Sequence, residues 1–386
     1  MSLKILAVIE KNSWMKFHIA ESLELMGNHV TCFYYGDCVG KFYGPGRYAE
    51  QREKNIALLN FAKNLRDTAG LDLIFCYVHD DFLLPKYAKA LSNLNISMVN
   101  YNVDMPTHWF RQIRTAKYFD MMLCGQRDNM QHLARYAKKV FYFPMAARMP
   151  APNNTFAQSE KTEEVTFLGM AHPFRERILS QLAELSVPLS IFGKYWESSQ
   201  PNIYKHNLFE TLSYMIHYSW PRFKTEGLSS LWKAFLNRFF IDHRKKVNAI
   251  IPKEIIKGEF LDNNLSVLFY RSKINIGFTR YAGSNPDLPG RCQMKLRDFE
   301  VPMAGGFYLV EKAPGYDEAF LDGMEVVTWQ TFPELLEKIN YYLRHDHERE
   351  QIAAAGRKRA LQDHTWEKRF NILFSELGLP LSINGI

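Results

Sequence analysis

The sequence predicts an α/β protein of two doubly wound domains, and three observations carry that prediction. Short apolar runs alternate with segments of helical period over the first 147 residues, a polar irregular stretch interrupts them, and the alternation restarts near residue 165. At 386 residues the chain is also too long for one small domain.

Ile5 to Ile9 is an apolar run of the kind a strand buried on both faces needs. Phe17 to Met26 carries helical spacing and stops at Gly27, which is placed to be a C′ glycine. "NHVTCFYY" reads as the second strand, and "LDLIFCYV", "ISMVNYN", "YFDMMLCG" and "KKVFYFP" extend the series to Pro144. Residues 148–164, with "MPAPNNTFAQSEKTEE", have linker composition. The second domain, 165–365, opens with "VTFLGM", a helix through "RERILSQLAEL", and "LSIFG". It continues with "SKINIGF", "FYLVE" and "MEVVTW". Ligands of such open sheets sit at the carboxyl ends of the strands, so the chemistry is expected in loops facing a cleft between the two domains.

Residues 201–250 interrupt the second domain. They hold ten aromatics, eight Lys/Arg and three acids, and Leu228, Leu231, Trp232, Phe235, Leu236, Phe239 and Phe240 recur at helical spacing. Two readings stand: a helical insertion packed on its own domain, or an interfacial helix making a peripheral membrane contact.

A net charge of +7 favours anionic ligands or surfaces, without the concentrated basic face that nucleic-acid binding needs. Five widely spaced cysteines with no CxxC read as reduced thiols. The apolar run at the N-terminus is too short for a signal peptide, and no stretch reaches the ~20 apolar residues of a membrane span. The expected location is the cytoplasm, with membrane association if 201–250 lies on a bilayer.

The stretch "QMKLRDFEVPMAGGFYLVE", Gln293 to Glu311, places Lys295, Arg297 and Glu300 on the approach to Gly305 and Gly306. Arg297 and Glu300 share a helix face. A lysine and an arginine there suit a diphosphate, since arginine offers forked contacts, while an ionised Glu300 only accepts hydrogen bonds and so suits paired sugar hydroxyls. A surface Arg–Glu pair on a plain helix has the same sequence.

In its context the stretch resembles the C-terminal half of the GT-B glycosyltransferase superfamily, and within it the CgeB-like, spore-protein-type enzymes. The matching segments are "VTFLGMAHPFRERIL", "IFGKYW", "RSKINIGFTRY", "KLRDFEVPMAGGFYLVE", the run from "DGMEVVTW" to "HTWEKR", and the N-terminal "VNYNVDMP". The resemblance implies two Rossmann-like domains facing a cleft. It places Glu300 on the donor ribose, Lys295 and Arg297 on the diphosphate, and Gly305 and Gly306 at the turn after the helix. Relatives carry a second glutamate eight residues earlier, where this chain has Cys292. Residues 366–386 would form a final helix crossing back to the N-terminal domain, with Trp366, Phe370 and Leu373 spaced to pack there.

Arg175 and Arg177 open the helix after "FLGM", where an anion between them or plain solvation accounts for them. Gly193 and Lys194 end a strand, with Tyr195 and Trp196 placed to stack on a base. In the N-terminal domain Asp104, then His79, are the candidate general bases for an inverting transfer, and a turn acid is the plainer reading of Asp104. No Asp-x-Asp, GxxxxGK or GxGxxG occurs, so neither a metal ion nor any other cofactor is expected.

The expectation is therefore a metal-independent glycosyltransferase using a nucleotide-diphosphate sugar, with a glycan, a lipid-linked molecule or a protein as acceptor and no nucleic-acid partner. A sugar-nucleotide epimerase of the same build, or a non-catalytic binding or assembly protein, remains open beside it.

Overall fold

The computed structural model describes residues 2–11, 14–35, 45–103, 109–149, 161–196, 251–260, 265–280 and 292–381, with isolated positions 223, 227 and 228. Asp104 and the rest of 201–250 lie outside the described residues, so both readings of that segment rest on sequence alone. The strands and helices form two compact units. One holds those up to Met145 together with the helix Trp366–Leu377, and the other holds those from Ala146 to Thr365.

In the first unit β1 (Lys4–Ile9), β2 (His29–Tyr34), β3 (Leu73–Cys76), β4 (Ser97–Asn102), β5 (Met121–Cys124) and β6 (Val140–Tyr142) pair in parallel in the order β2-β1-β3-β4-β5-β6. The inner strands β3 and β5 are buried throughout, which is why they read as unbroken apolar runs. Edge strand β2 mixes half-buried and exposed residues, with none fully buried. The helix predicted over 17–26 forms, opening with a π-helical turn at Lys16–Ala20 before Glu21–Leu25 continues it. Gly27 ends it at φ 83°, with Gly27 N–H on Glu24 O and Asn28 N–H on Leu23 O. Trp366, Phe370 and Leu373 of the last helix are fully buried, and the Trp366 ring lies 6.1 Å from those of Trp14 and Tyr101.

In the second unit β7 (Glu163–Leu168), β8 (Leu189–Phe192), β9 (Ile256–Gly258), β10 (Ser272–Gly277), β11 (Tyr308–Glu311) and β12 (Val327–Trp329) are again all parallel, in the order β12-β11-β10-β7-β8-β9. Counted from its own first strand this is the order of dinucleotide-binding sheets, in which the chain reverses its direction of winding beside that strand. The reversal falls between β7 and β10. Helix Pro173–Glu184 covers one face, burying Phe174, Ile178, Leu179 and Leu182 against Phe167, Ile191 and Ile276. The carboxyl ends of β7 and β10 are thereby the place where this sheet offers a ligand its crevice.

Candidate functional site

A cavity of about 50 Å³ occupies that place, lined by Phe167 and Leu168 of β7, Gly277 and Phe278 at the end of β10, and the side chains of Arg175, Lys295 and Arg297. That volume has room for a few waters or a group of phosphate size. The three cations come from different elements. Arg175 stands in the first turn of Pro173–Glu184, whose entry is set by Pro173 at its first position. Lys295 precedes the short helix Arg297–Met303, and Arg297 begins it. Each arginine also lies over a ring, Arg175 5.5 Å from Phe167 and Arg297 5.4 Å from Phe269.

Buried carboxylates and backbone carbonyls surround these cations. Glu300, buried, takes a guanidinium N–H of Arg297 three residues back. Glu311, buried at the end of β11, accepts the backbone N–H and Nε–H of Arg280, each at 3.0 Å, while the Arg280 guanidinium sits 4.0 Å over Phe174. Asp298, also buried, accepts the Lys295 backbone N–H at 2.6 Å and the Tyr308 hydroxyl at 2.8 Å. Lys295 Nζ donates to Phe278 O at 2.7 Å and Arg280 O at 2.9 Å, the carbonyls of the loop leaving β10. Arg175 donates to Met170 O at 3.0 Å and forms no ion pair among the described residues.

Burial, and then the neighbouring Arg175 charge, push the Lys295 ammonium down to about 8. Burial pushes Asp298 up to about 6, against the two donors that favour its ionised form. Burial also lowers Arg175, although a guanidinium stays charged at any ordinary pH. At neutral pH the cavity therefore presents three cations.

The remaining sequence-derived candidates lie elsewhere in the fold. Gly305 has φ 82° and, with Gly306, closes the helix through N–H bonds to Pro302 O and Val301 O. Gly306 allows the close approach of Phe269 O, which a Cβ would meet at 2.6 Å. Gly193, Lys194 and Tyr195 follow β8 but do not line the cavity. Gly193 adopts φ 132° against Gly169 O, Lys194 pairs with Glu259 at 3.3 Å on the surface, and Tyr195 takes φ 68°. The Trp196 indole N–H donates to Gly169 O at 2.8 Å, so it stitches the two strand-end turns together. In the first unit His79 follows β3, with the Asn102 amide 3.1 Å from its Nδ1. Sequence reasoning passed over Gly277, Arg280, Asp298, Tyr308 and Glu311. Two of these carried a signal: an acid ends the buried run "FYLVE", and a glycine interrupts "SKINIGF".

A family model described as glycosyl transferase-like matches residues 252–375, the segment that supplies Lys295, Arg297 and Glu300. No curated protein sequence matches the chain. Among solved structures the chain is similar to Anabaena Alr3699/HepE in complex with UDP and glucose, at 12% identity and a TM-score of 0.58 over 97% of this chain and 99% of that one. It is similar to sucrose-phosphate synthase (tll1590) from Thermosynechococcus elongatus, at 11% identity and a TM-score of 0.55 over 97% and 99%. A glycosyltransferase from Rickettsia africae ESF-5 matches at 11% and 0.55 over 97% of each chain. Identities this low establish the fold: two Rossmann-like units of the GT-B type.

Proposed function

We propose that the protein is a GT-B glycosyltransferase that moves a hexosyl group from a nucleoside-diphosphate sugar to an acceptor, with a phosphate of the donor in the Arg175–Lys295–Arg297 cavity. The observation that carries this reading is the convergence of three cations from separate elements on the strand reversal of a nucleotide-binding sheet. The family model over the same segment supports it, as does HepE, a neighbour in fold solved with UDP-glucose. The order of the quoted motifs supports grouping the chain with the CgeB-like enzymes.

In this reading the cations, and no metal ion, offset the charge that grows on the departing diphosphate; because they are already oriented, little reorganisation is needed as the bond breaks. Arg297 grips phosphate oxygens in two-point fashion, and Glu300 accepts the ribose hydroxyls. His79 or Asp104 takes the acceptor proton if the outcome is inversion. A membrane contact through 201–250 belongs to the same proposal, and equal liposome co-sedimentation with and without that segment would remove it.

The experiment is a thermal-shift and calorimetric panel of UDP, GDP and ADP and their sugars, followed by product analysis with candidate acceptors. Binding by the parental protein, weakened in Glu300→Ala and Arg297→Ala, is the expected result. Parental binding and transfer in both variants would refute these roles. Conversion of a sugar nucleotide to its epimer without acceptor would identify an epimerase instead. Cys292, standing where relatives carry a carboxylate, favours a second reading as a binding protein without turnover, which any donor hydrolysis or transfer by pure protein dismisses.

A further inference from the structure

We infer that Asp298 and Tyr308 are positioning residues for the diphosphate, and that position 277 is a glycine so that the two can meet. This rests on the reading that the cavity takes a donor phosphate. Three separate segments contribute to one link. The Tyr308 ring, from the start of β11, crosses β10 to donate its hydroxyl to Asp298 Oδ1 at 2.8 Å. A Cβ at Gly277 would lie 2.3 Å from that hydroxyl oxygen and 2.5 Å from the ring carbon bearing it, so no other residue fits beneath it. Asp298 Oδ2 then accepts the Lys295 N–H at 2.6 Å, tying the turn before Arg297 to the sheet.

A helix start needs far less. An exposed serine or aspartate caps one, without a carboxylate 1% exposed, a buried tyrosine or a glycine that weakens a strand. What the link fixes is the backbone of Lys295, through its N–H on Asp298, and from that anchor the side chain reaches the carbonyls of Phe278 and Arg280 with its Nζ. An ammonium has three N–H donors, so one remains for an occupant of the cavity that Lys295 lines with Arg175 and Arg297. Asp298 and Tyr308 thus act on the ligand through Lys295.

Calorimetry with UDP, GDP and ADP, and with uridine, guanosine and adenosine, tests this. Tyr308→Phe keeps the ring and deletes one hydroxyl. The expected result is a Kd about tenfold higher for the preferred diphosphate with an unchanged Kd for its nucleoside. Asp298→Asn keeps an acceptor for the Lys295 N–H and an amide for the Tyr308 oxygen, and should bind the diphosphate within threefold of the parental protein, whereas Asp298→Ala should behave as Tyr308→Phe. Equal diphosphate binding by Tyr308→Phe and the parental protein overturns the inference, and so does a parallel loss of diphosphate and nucleoside affinity. If the parental protein binds none of the diphosphates, the donor reading falls and takes this inference with it.

Discussion

On the proposed reading, raising the pH should weaken donor binding before it weakens the protein, because Lys295 is the cation of the cavity that titrates in reach. Its ammonium stands at about 8, pushed down from 10.5 by burial and by Arg175. A bound diphosphate favours the charged form and moves it back up. Between the free and bound values the affinity falls about tenfold per pH unit, so a full return to 10.5 corresponds to a loss of roughly two to three orders of magnitude. Few other groups titrate there. Asp298, at about 6, titrates below the window, Tyr308 is raised well above its ordinary range by burial, and the arginines stay charged. Burial raises the Cys292 thiol as well, from 9.0, which moves it away from the start of the window. Stability runs the other way. The folded protein holds the Lys295 proton less tightly than the unfolded chain, so from about 8 to 10.5 this group makes folding more favourable as pH rises. Calorimetric UDP titrations at half-unit steps from pH 7 to 10, beside thermal melts, separate the two effects. Lys295→Arg should bind with a flat profile over the range, and Lys295→Met should bind weakly throughout. Parental affinity constant within twofold from pH 7.5 to 9.5, or the same fall in Lys295→Arg, would refute the assignment.

Three other perturbations have expected outcomes. Gly193→Ala places a Cβ 2.2 Å from Gly169 O at φ 132°, and should cost about 3 kcal/mol or more in urea denaturation, so a loss under about 1 kcal/mol would contradict the packing of the two turns. Trp366→Ala removes a fully buried ring that meets Trp14, Tyr101, Phe143 and Phe370, and should cost about 3–5 kcal/mol by the same measurement. Burial pushes Asp80 up to about 7, although the Thr115 hydroxyl and the Arg114 N–H favour its ionised form. The folded state then holds this proton more tightly than the unfolded one, so the stability it contributes is present below about 3.8 and is lost as pH rises through about 7. Asp80→Asn should flatten the slope of stability between pH 4 and 7, and an unchanged slope would assign it to other groups.

Most strands were legible because parallel sheets bury both faces, and a run such as Leu73–Cys76 has no polar face to obscure it. Ile256–Gly258 was not, being three residues on a sheet edge and only half-buried at its ends. The π-helical turn at Lys16–Ala20 leaves no trace in a pattern whose apolar spacing fits an ordinary helix. At the site, Arg175, Lys295 and Arg297 were readable because each stands beside a helix start, a local fact. Their partners were not. Arg280 meets Glu311 across 31 positions, and Asp298 meets Tyr308 across a strand whose glycine shows its purpose only when the ring above it is seen. Strand-end position was read correctly for Lys194 and Trp196, but not their engagement with Glu259 and the Gly169 carbonyl.

The pairing of cations with carboxylates bears on how the cavity would discriminate among anions. Four cations packed without partners would repel one another and resist burial. Here Arg280 is matched by Glu311 and Arg297 by Glu300, while the Lys295 ammonium rests on two backbone carbonyls close to the buried Asp298, and Arg175 has one carbonyl and the Phe167 ring but no ion pair among the described residues. An incoming phosphate then gains most from Arg175 and must compete with Glu300 for Arg297. Arginine has five N–H donors, so sharing is feasible, but every bond taken from Glu300 leaves a buried carboxylate less satisfied. Free phosphate or pyrophosphate offers that carboxylate nothing in return. A ligand that brings hydroxyls with its diphosphate does, since an ionised carboxylate can only accept. On the proposed reading, the Arg297–Glu300 pair therefore acts as a filter: it lowers affinity for bare anions and restores it for a sugar nucleotide.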